Sequence, residues 1–309
     1  MKLVSLPDYP IPDGVIVSSI RAADGVELRF ARWPGPFDAR GTVVLLQGRA
    51  EFIEKYFEVI GELISRGFGV VTFDWRGQGL SDRLLPDKRK GYIEDFAQYD
   101  LDFHSIFEQV VQPGCRPPYL GLAHSTGAAM LLRAVARRSV PIDSLILTSP
   151  MIGLPFLSES GLARIALRLL VSAGFGTRYV PGGHDDIMDL RPFAGNKRTS
   201  DQGRYERCAR LVAAQPDLGL GSPTIGWTAA AAEATHEFAD PDFPRRILAR
   251  SLVIAPGRDQ IVSPAASRAF SERSNSIKYV MVANSKHELL MEHDEFRSQF
   301  WAAFDSFWT

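Results

Sequence analysis

Three things are scarce in this sequence of 309 residues: cysteine, net charge and unbroken apolar stretches. The two cysteines, Cys115 and Cys208, cannot build a disulfide framework, and they are not spaced as a metal or redox pair. Such sparing use fits a reducing, cytoplasmic compartment. Lys and Arg number 35 against 36 Asp and Glu, a formal charge of −1. That balance argues against a general nucleic-acid binder, which needs a basic footprint to neutralise phosphates. No apolar run reaches the roughly 18 residues that suggest a membrane span. Residues 1–8 lack the apolar segment of a signal peptide. Internal repeats and low-complexity tracts are missing too, which removes repeat architectures from consideration.

What is present is ordinary for a soluble globular chain, with 45% apolar and 23% charged residues. Its length suggests about two domains at about 150 residues each. Residues 15–19 and 27–33 read as a β-hairpin around the Asp24-Gly25 turn signal. From residue 41 short apolar runs (42–46, 70–73, 119–123, 145–148) alternate with helical patterns (56–66, 94–112, 126–138). The alternation resumes with strands at 252–255 and 279–282 and helices at 264–274 and 294–307. Apolar runs of this kind belong to a parallel sheet covered on both faces. The expected fold is therefore α/β, a mostly parallel central sheet with an N-terminal antiparallel hairpin. Residues 152–246 break the pattern and read as a helical cap inserted into a core of 1–151 and 247–309. Such an insert sits over the carboxyl edge of the sheet, where open α/β sheets bind ligands.

The junction Gly121-Leu122-Ala123-His124-Ser125-Thr126-Gly127 feeds a strand into a helix through a serine flanked by small residues at −2 and +2. This is the nucleophile-elbow pattern, G-x-S-x-G, with Ala123 in place of the first glycine. Taken alone, it also fits a small-residue turn with an incidental serine. A serine hydroxyl needs a base, and the base needs an orienting carboxylate. In sheets of this type the chain order is serine, acid, histidine. Asp259 follows strand 252–255 and His287 follows strand 279–282, both at the edge that carries Ser125. Ser125, Asp259 and His287 are the expected catalytic residues. His124 reads as pocket-lining or structural, His293 as solvated or capping, and His104 as packing or surface. Asp74 is a weaker candidate acid. The oxyanion of acyl transfer needs two backbone N–H groups. These are expected from Thr126 and from Arg49 in the loop after strand 42–46. The Arg49 side chain has two readings, a phosphate contact or a pair with Glu51. The run His184–Asp189 carries metal-capable side chains but reads as a solvated loop, and this mechanism needs no metal and no cofactor.

Together these motifs resemble the α/β-hydrolase superfamily, specifically its bacterial lysophospholipase and monoacylglycerol-lipase-like group. The resemblance rests on Gln47–Tyr56 (QGRAEFIEKY), Asp74–Ser81 (DWRGQGLS), Ala123–Gly127, Gly221–Trp227 (GSPTIGW) and His287–Glu292 (HELLME). It implies a Ser125 nucleophile, a His287 base, an Asp259 partner and a helical cap. Relatives often carry His-Gly where this chain has Gln47-Gly48, and Met-Gly-Gly where it has Thr126-Gly127-Ala128. The first departure alters hydrogen bonding near the hole, and the second alters the shape of the pocket.

Within the expected cap, Leu162, Ile165, Ala166, Leu169, Leu170 and Ala173 fall at helical spacing. The stretch from Ser160 to Val180 holds three arginines and no acid. This helix can pack over the site, dock at a lipid surface, or do both. The leading expectation is hydrolysis of a small lipid-like ester, a lysophospholipid or monoacylglycerol, with peripheral contact at the membrane left open. A capped aminopeptidase is the alternative enzyme, with Asp185, Asp186, Asp189 and Glu233 available to hold an ammonium. A binding protein on a hydrolase scaffold is the non-enzymatic one.

Overall fold

The computed structural model describes residues 2–155 and 161–308. In chain order, strands β1 (Ile16–Arg21), β2 (Glu27–Trp33) and β3 (Thr42–Leu46) come first. A short 3-10 turn leads into α1 (Phe57–Ser65), then β4 (Gly69–Phe73), α2 (Ala97–Ile106), β5 (Tyr119–His124), α3 (Thr126–Ala136) and β6 (Ser144–Thr148). Next come α4 (Gly161–Leu170), α5 (Gln202–Ala214) and α6 (Ile225–Glu237). The chain closes with β7 (Arg250–Pro256), α7 (Pro264–Ser271), β8 (Ile277–Val282) and α8 (Asp294–Trp308).

The described strands form one sheet in the order β1-β2-β4-β3-β5-β6-β7-β8. β2 runs antiparallel to both β1 and β4, and all other pairs are parallel. Strands β3, β4 and β6 are buried along their whole length, as continuous apolar runs require. Alternation within them sends neighbours to opposite faces. Val44 and Leu46 join a cluster with Phe103 of α2 and Ala128 of α3. Val43 and Leu45 join another with Ile60 of α1 and Phe304 of α8.

The segment between β6 and β7 enters both clusters. Trp227 and Ala231 of α6 lie in the first, and Leu211 and Val212 of α5 in the second. Helix α4 behaves differently. Leu162, Ile165 and Leu169 are 75%, 51% and 66% exposed, while Arg164 and Arg168 turn toward Glu233 of α6 at 3.8 and 2.6 Å. Both arginines are thus tied to one counter-charge on α6, with Arg168 itself still largely exposed, and the apolar residues face outward with no partner element among the described residues. Residues 156–160, including Ser160 at the start of the basic stretch, lie outside the described residues. The helix expected over 94–112 is also broken differently. α2 ends at Ile106, and a wider π turn, Phe107–Val111, carries the chain on.

Candidate active site

Ser125 stands on the turn between β5 and α3 with φ 51° and ψ −114°, a conformation that side chains other than glycine rarely adopt. Neighbouring strands hold it there. Its N–H donates to Thr148 O at 3.0 Å, and its carbonyl accepts from Met151 N at 3.1 Å. The turn presses helix and strand together. A Cβ on Gly127 would stand 2.5 Å from the carbonyl oxygens of both Leu46 and Gln47. Glycine is obligatory at +2, whereas Ala123 at −2 is accommodated fully buried.

The structure brings Ser125, His287 and Asp259 into one hydrogen-bonded line. Ser125 Oγ lies 3.0 Å from His287 Nε2, and His287 Nδ1 lies 2.7 Å from Asp259 Oδ2. The carboxylate can only accept from Nδ1–H, which leaves Nε2 to accept the serine proton. Asp259 Oδ1 takes the N–H groups of Ile261 and Val262 at 2.8 and 3.0 Å. Burial opposes its ionisation, but His287 and these two amides outweigh burial and hold its pKa below the ordinary value. Ser149 donates its hydroxyl to His287 O at 2.5 Å and fixes the histidine loop from below.

The loop after β3 approaches Ser125 closely. A Cβ on Gly48 would lie 3.2 Å from Ser125 Cβ. Gly48 N donates to Glu51 Oε2 at 2.5 Å and Ala50 N to Gln78 Oε1 at 3.2 Å. The N–H of Arg49, between them, meets no acceptor among the described residues. Thr126 opens α3, where a helix leaves its N–H groups without intrahelical partners. Gln47 satisfies both ends of its amide when Nε2 donates to Phe73 O at 2.6 Å and Oε1 accepts from Thr72 Oγ1 at 3.1 Å. Its carbonyl accepts from Trp75 Nε1 at 3.0 Å. In this way glutamine anchors the loop where relatives often place histidine.

The other candidates settle elsewhere. Asp74 is held by Arg29 at 2.6 Å and by the N–H groups of Ile53 and Leu80. His293 reaches Asp201 and His104 reaches Glu108, each at 3.3 Å. His124 packs against His287 with ring centroids 4.8 Å apart and planes tilted by 58°, and pairs through Nδ1 with Thr148 Oγ1 at 3.1 Å. Burial pulls its pKa down to about 4, so it adds no charge beside the base at neutral pH. In the 184–189 run, Asp185 faces Arg89 and Asp189 is bound by Arg198. No cluster of three or more metal-capable side chains occurs among the described residues.

Arg49 does not pair with Glu51. Glu51 is taken by Lys55 Nζ at 2.8 Å and by the Tyr56 hydroxyl at 2.8 Å. Lys55 also binds Glu288 at 2.8 Å, and Glu288 faces Arg198 at 3.7 Å. A buried chain of charges thus runs from the Gly48 amide to the residue after His287. Sequence reasoning missed this chain, although Glu51 and Lys55 stand four apart, a spacing that pairs charges on a helix. Nothing in the local sequence marked Ser149 or Arg198.

The family model for serine aminopeptidase, S33 (Hydrolase_4), matches residues 38–294. The chain is 31% identical over 289 residues to Lysophospholipase L2 of Escherichia coli K12, covering 89% of this chain and 82% of that protein. It is 28% identical over 258 residues to Probable lysophospholipase L2 of Haemophilus influenzae, covering 84% and 80%. Among solved structures, a soluble variant of Saccharomyces cerevisiae monoglyceride lipase bound to a substrate analogue superposes with a TM-score of 0.74. Identity there is 18%, over 95% of both chains. The monoacylglycerol lipase of Paleococcus ferrophilus gives 0.71 at 19% identity, over 91% of this chain and 98% of that one.

Proposed function

Since the chain belongs to the serine aminopeptidase S33 (Hydrolase_4) family of α/β-hydrolases, we propose that it cleaves a lysophospholipid or monoacylglycerol ester through an acyl-enzyme on Ser125. The observation that carries this reading is the line Ser125 Oγ–His287 Nε2–His287 Nδ1–Asp259 Oδ2, at 3.0 and 2.7 Å. Ser125 Oγ attacks the acyl carbon while His287 Nε2 takes the hydroxyl proton. The Arg49 and Thr126 N–H groups hold the oxyanion. The tetrahedral adduct collapses, the C–O bond to the leaving alcohol breaks, and His287 returns the proton to that oxygen. Water then attacks the acyl-enzyme, with His287 again as base. It releases the fatty acid and restores Ser125. Asp259 keeps the proton on Nδ1 before attack and stabilises the imidazolium afterwards.

Residues 152–246 act as a cap over this site, inserted into a core of 1–151 and 247–309. The outward apolar residues of α4 support contact of the cap with a lipid surface. The free cysteines support a reducing compartment. Lysophospholipase relatives along most of the chain support a lysolipid ester as substrate. An aminopeptidase would need insert acids free to hold an ammonium. Of the four available, Asp185, Asp189 and Glu233 are engaged by arginines.

A fluorophosphonate probe should label the wild type and leave Ser125→Ala unlabelled. The same variant should lose ester turnover by on the order of 10⁴-fold or more. Equal labelling of both proteins, or faster turnover of aminoacyl anilides than of acyl esters, would overturn the reading.

A further inference from the structure

Among the described residues, Arg49 makes no ion pair, although it stands beside the nucleophile. Its guanidinium reaches Gly221 O at 3.0 Å and the Met188 sulfur at 3.3 Å, and it lies 5.2 Å from the centre of the Trp227 ring. Arg49 Nε is shielded from solvent and donates to nothing. Burial lowers the Arg49 pKa to about 10, so it remains a cation at neutral pH. Asp189, the acid whose charge acts on it, is bound by Arg198. Arg191 presses on it with a like charge, and among the described residues its guanidinium reaches Ser222 Oγ at 3.3 Å and Asp186 O at 3.5 Å.

A second unsatisfied donor belongs to the same neighbourhood. The Tyr179 hydroxyl is buried without a partner. Tyr179 bridges to Thr224, just past Ser222 and Gly221, and Gly91 bridges to Pro223. A Cβ on Gly91 would lie 3.5 Å from Arg49 Nη2, and Lys90 Nζ sits 5.3 Å from the centre of the Tyr179 ring. Asp87 and Asp185 also act on Tyr179, but Lys90 faces the first at 3.8 Å and Arg89 the second at 3.4 Å, so the acids here are matched by cations other than Arg49. A desolvated guanidinium without a counter-ion is unfavourable until an anion arrives, and its planar fork matches the oxygens of a phosphate.

We propose that the Arg49 guanidinium and the Tyr179 hydroxyl receive the phosphodiester of a lysoglycerophospholipid. This assignment rests on the ester-hydrolase reading above and selects the phospholipid over the neutral monoacylglycerol as its substrate. In such a lipid the acyl carbonyl and the phosphate are separated by one glycerol, a span matched by the reach of one arginine side chain. Arg49 would meet the carbonyl oxygen with its backbone N–H and the phosphate with its side chain. The glycerol is then held at both ends, and the acyl chain is left to lie under the insert.

The test compares kcat/KM for a lysophosphatidylcholine and a monoacylglycerol of the same acyl chain, in wild type, Arg49→Met, Arg49→Lys and Tyr179→Phe. The expected result is that the phospholipid-to-neutral ratio falls about ten- to a hundredfold in Arg49→Met. Arg49→Lys, which keeps charge but loses the fork, should fall between, and Tyr179→Phe should lose a smaller factor. Thermal melts confirm that each variant folds. An unchanged ratio overturns the assignment while leaving the ester reading intact. The ester reading fails separately, if neither lipid is hydrolysed or if Ser125→Ala still turns them over. A calorimetric titration of Ser125→Ala with short-chain lysophosphatidylcholine needs no turnover. Binding there should weaken at least tenfold when Arg49→Met is added, and undiminished binding overturns the proposal. Inorganic phosphate should compete more weakly than glycerophosphocholine. Equal competition would assign the site to a free anion and overturn the head-group assignment.

Discussion

Ser125 is held in a backbone conformation that costs on the order of 1–3 kcal/mol in other settings. Its φ of 51° is enforced by β6, through Thr148 O, and by the chain after β6, through Met151 N. Glycine relieves that strain. Ser125→Gly should raise the melting midpoint, with about 1 kcal/mol added stability in chemical denaturation, while ester turnover disappears. A lower midpoint would mean that the side chain's hydrogen bond outweighs the strain. Glu51 carries the second prediction. Burial opposes its ionisation, yet Lys55, His124 and the Gly48 amide hold its pKa at about 2 against an ordinary 4.5. A depressed carboxyl pKa stabilises the fold fully above the ordinary value, and the contribution is lost as pH falls from 4.5 toward 2. Glu51→Gln should therefore cost about 2 kcal/mol at pH 7 and show a shallower loss of stability over that acid range. Urea unfolding as a function of pH measures both. Because Glu51 also orders the Gly48 amide, turnover should fall in the same variant.

At the scale of elements, much was legible because burial on both faces writes long apolar runs. The strands of the sheet were placed to within two residues at each end. Ser125, Asp259 and His287 could be proposed because each follows a strand, and the structure sets His287 3.0 Å from Ser125 and 2.7 Å from Asp259. Long-range charge pairing was not legible. The four-residue spacing of Glu51 and Lys55 was a local hint, but nothing local tells Lys55 to reach Glu288 as well, or Arg198 to cross from the insert to Glu288. The face of α4 was hidden for the same reason. Its apolar stripe fitted packing over the site and docking at a lipid surface equally, because Glu233, the partner of the arginines, lies 65 residues after Arg168. Glu233 offsets one of the two arginine charges, so the proposed contact with lipid is expected to rest mainly on apolar area. Ile165→Glu combined with Leu169→Glu should reduce co-sedimentation with phosphatidylcholine vesicles several-fold and shift stability by less than about 0.5 kcal/mol. Binding that collapses in high salt would show that exposed charge drives it instead.

At the scale of the whole molecule, the insert is not a separate body resting on the sheet. It shares both apolar clusters with the strands. Arg204 of α5 binds Glu58 of α1 and Asp294 of α8, each at 2.6 Å, and Arg207 joins Glu58 at 2.7 Å. Unfolding should therefore be a single cooperative transition, with tryptophan fluorescence and far-ultraviolet circular dichroism giving coincident curves. Two resolved steps would show an insert that melts independently.

The adjacency of β6 and β7 has a consequence for how such a chain can diversify. The two strands pair in parallel, Ser144 against Arg250 and Thr148 against Ile254. The chain must leave at the carboxyl end of one and re-enter at the amino end of the other, a passage that needs only a dozen or more residues. Here about 100 residues make it, and by geometry they set out from the edge that holds Ser125. Whatever sequence is inherited between these strands begins at the mouth of the site. Recognition can thus drift by descent in the insert while Ser125, Asp259 and His287 stay where the sheet puts them.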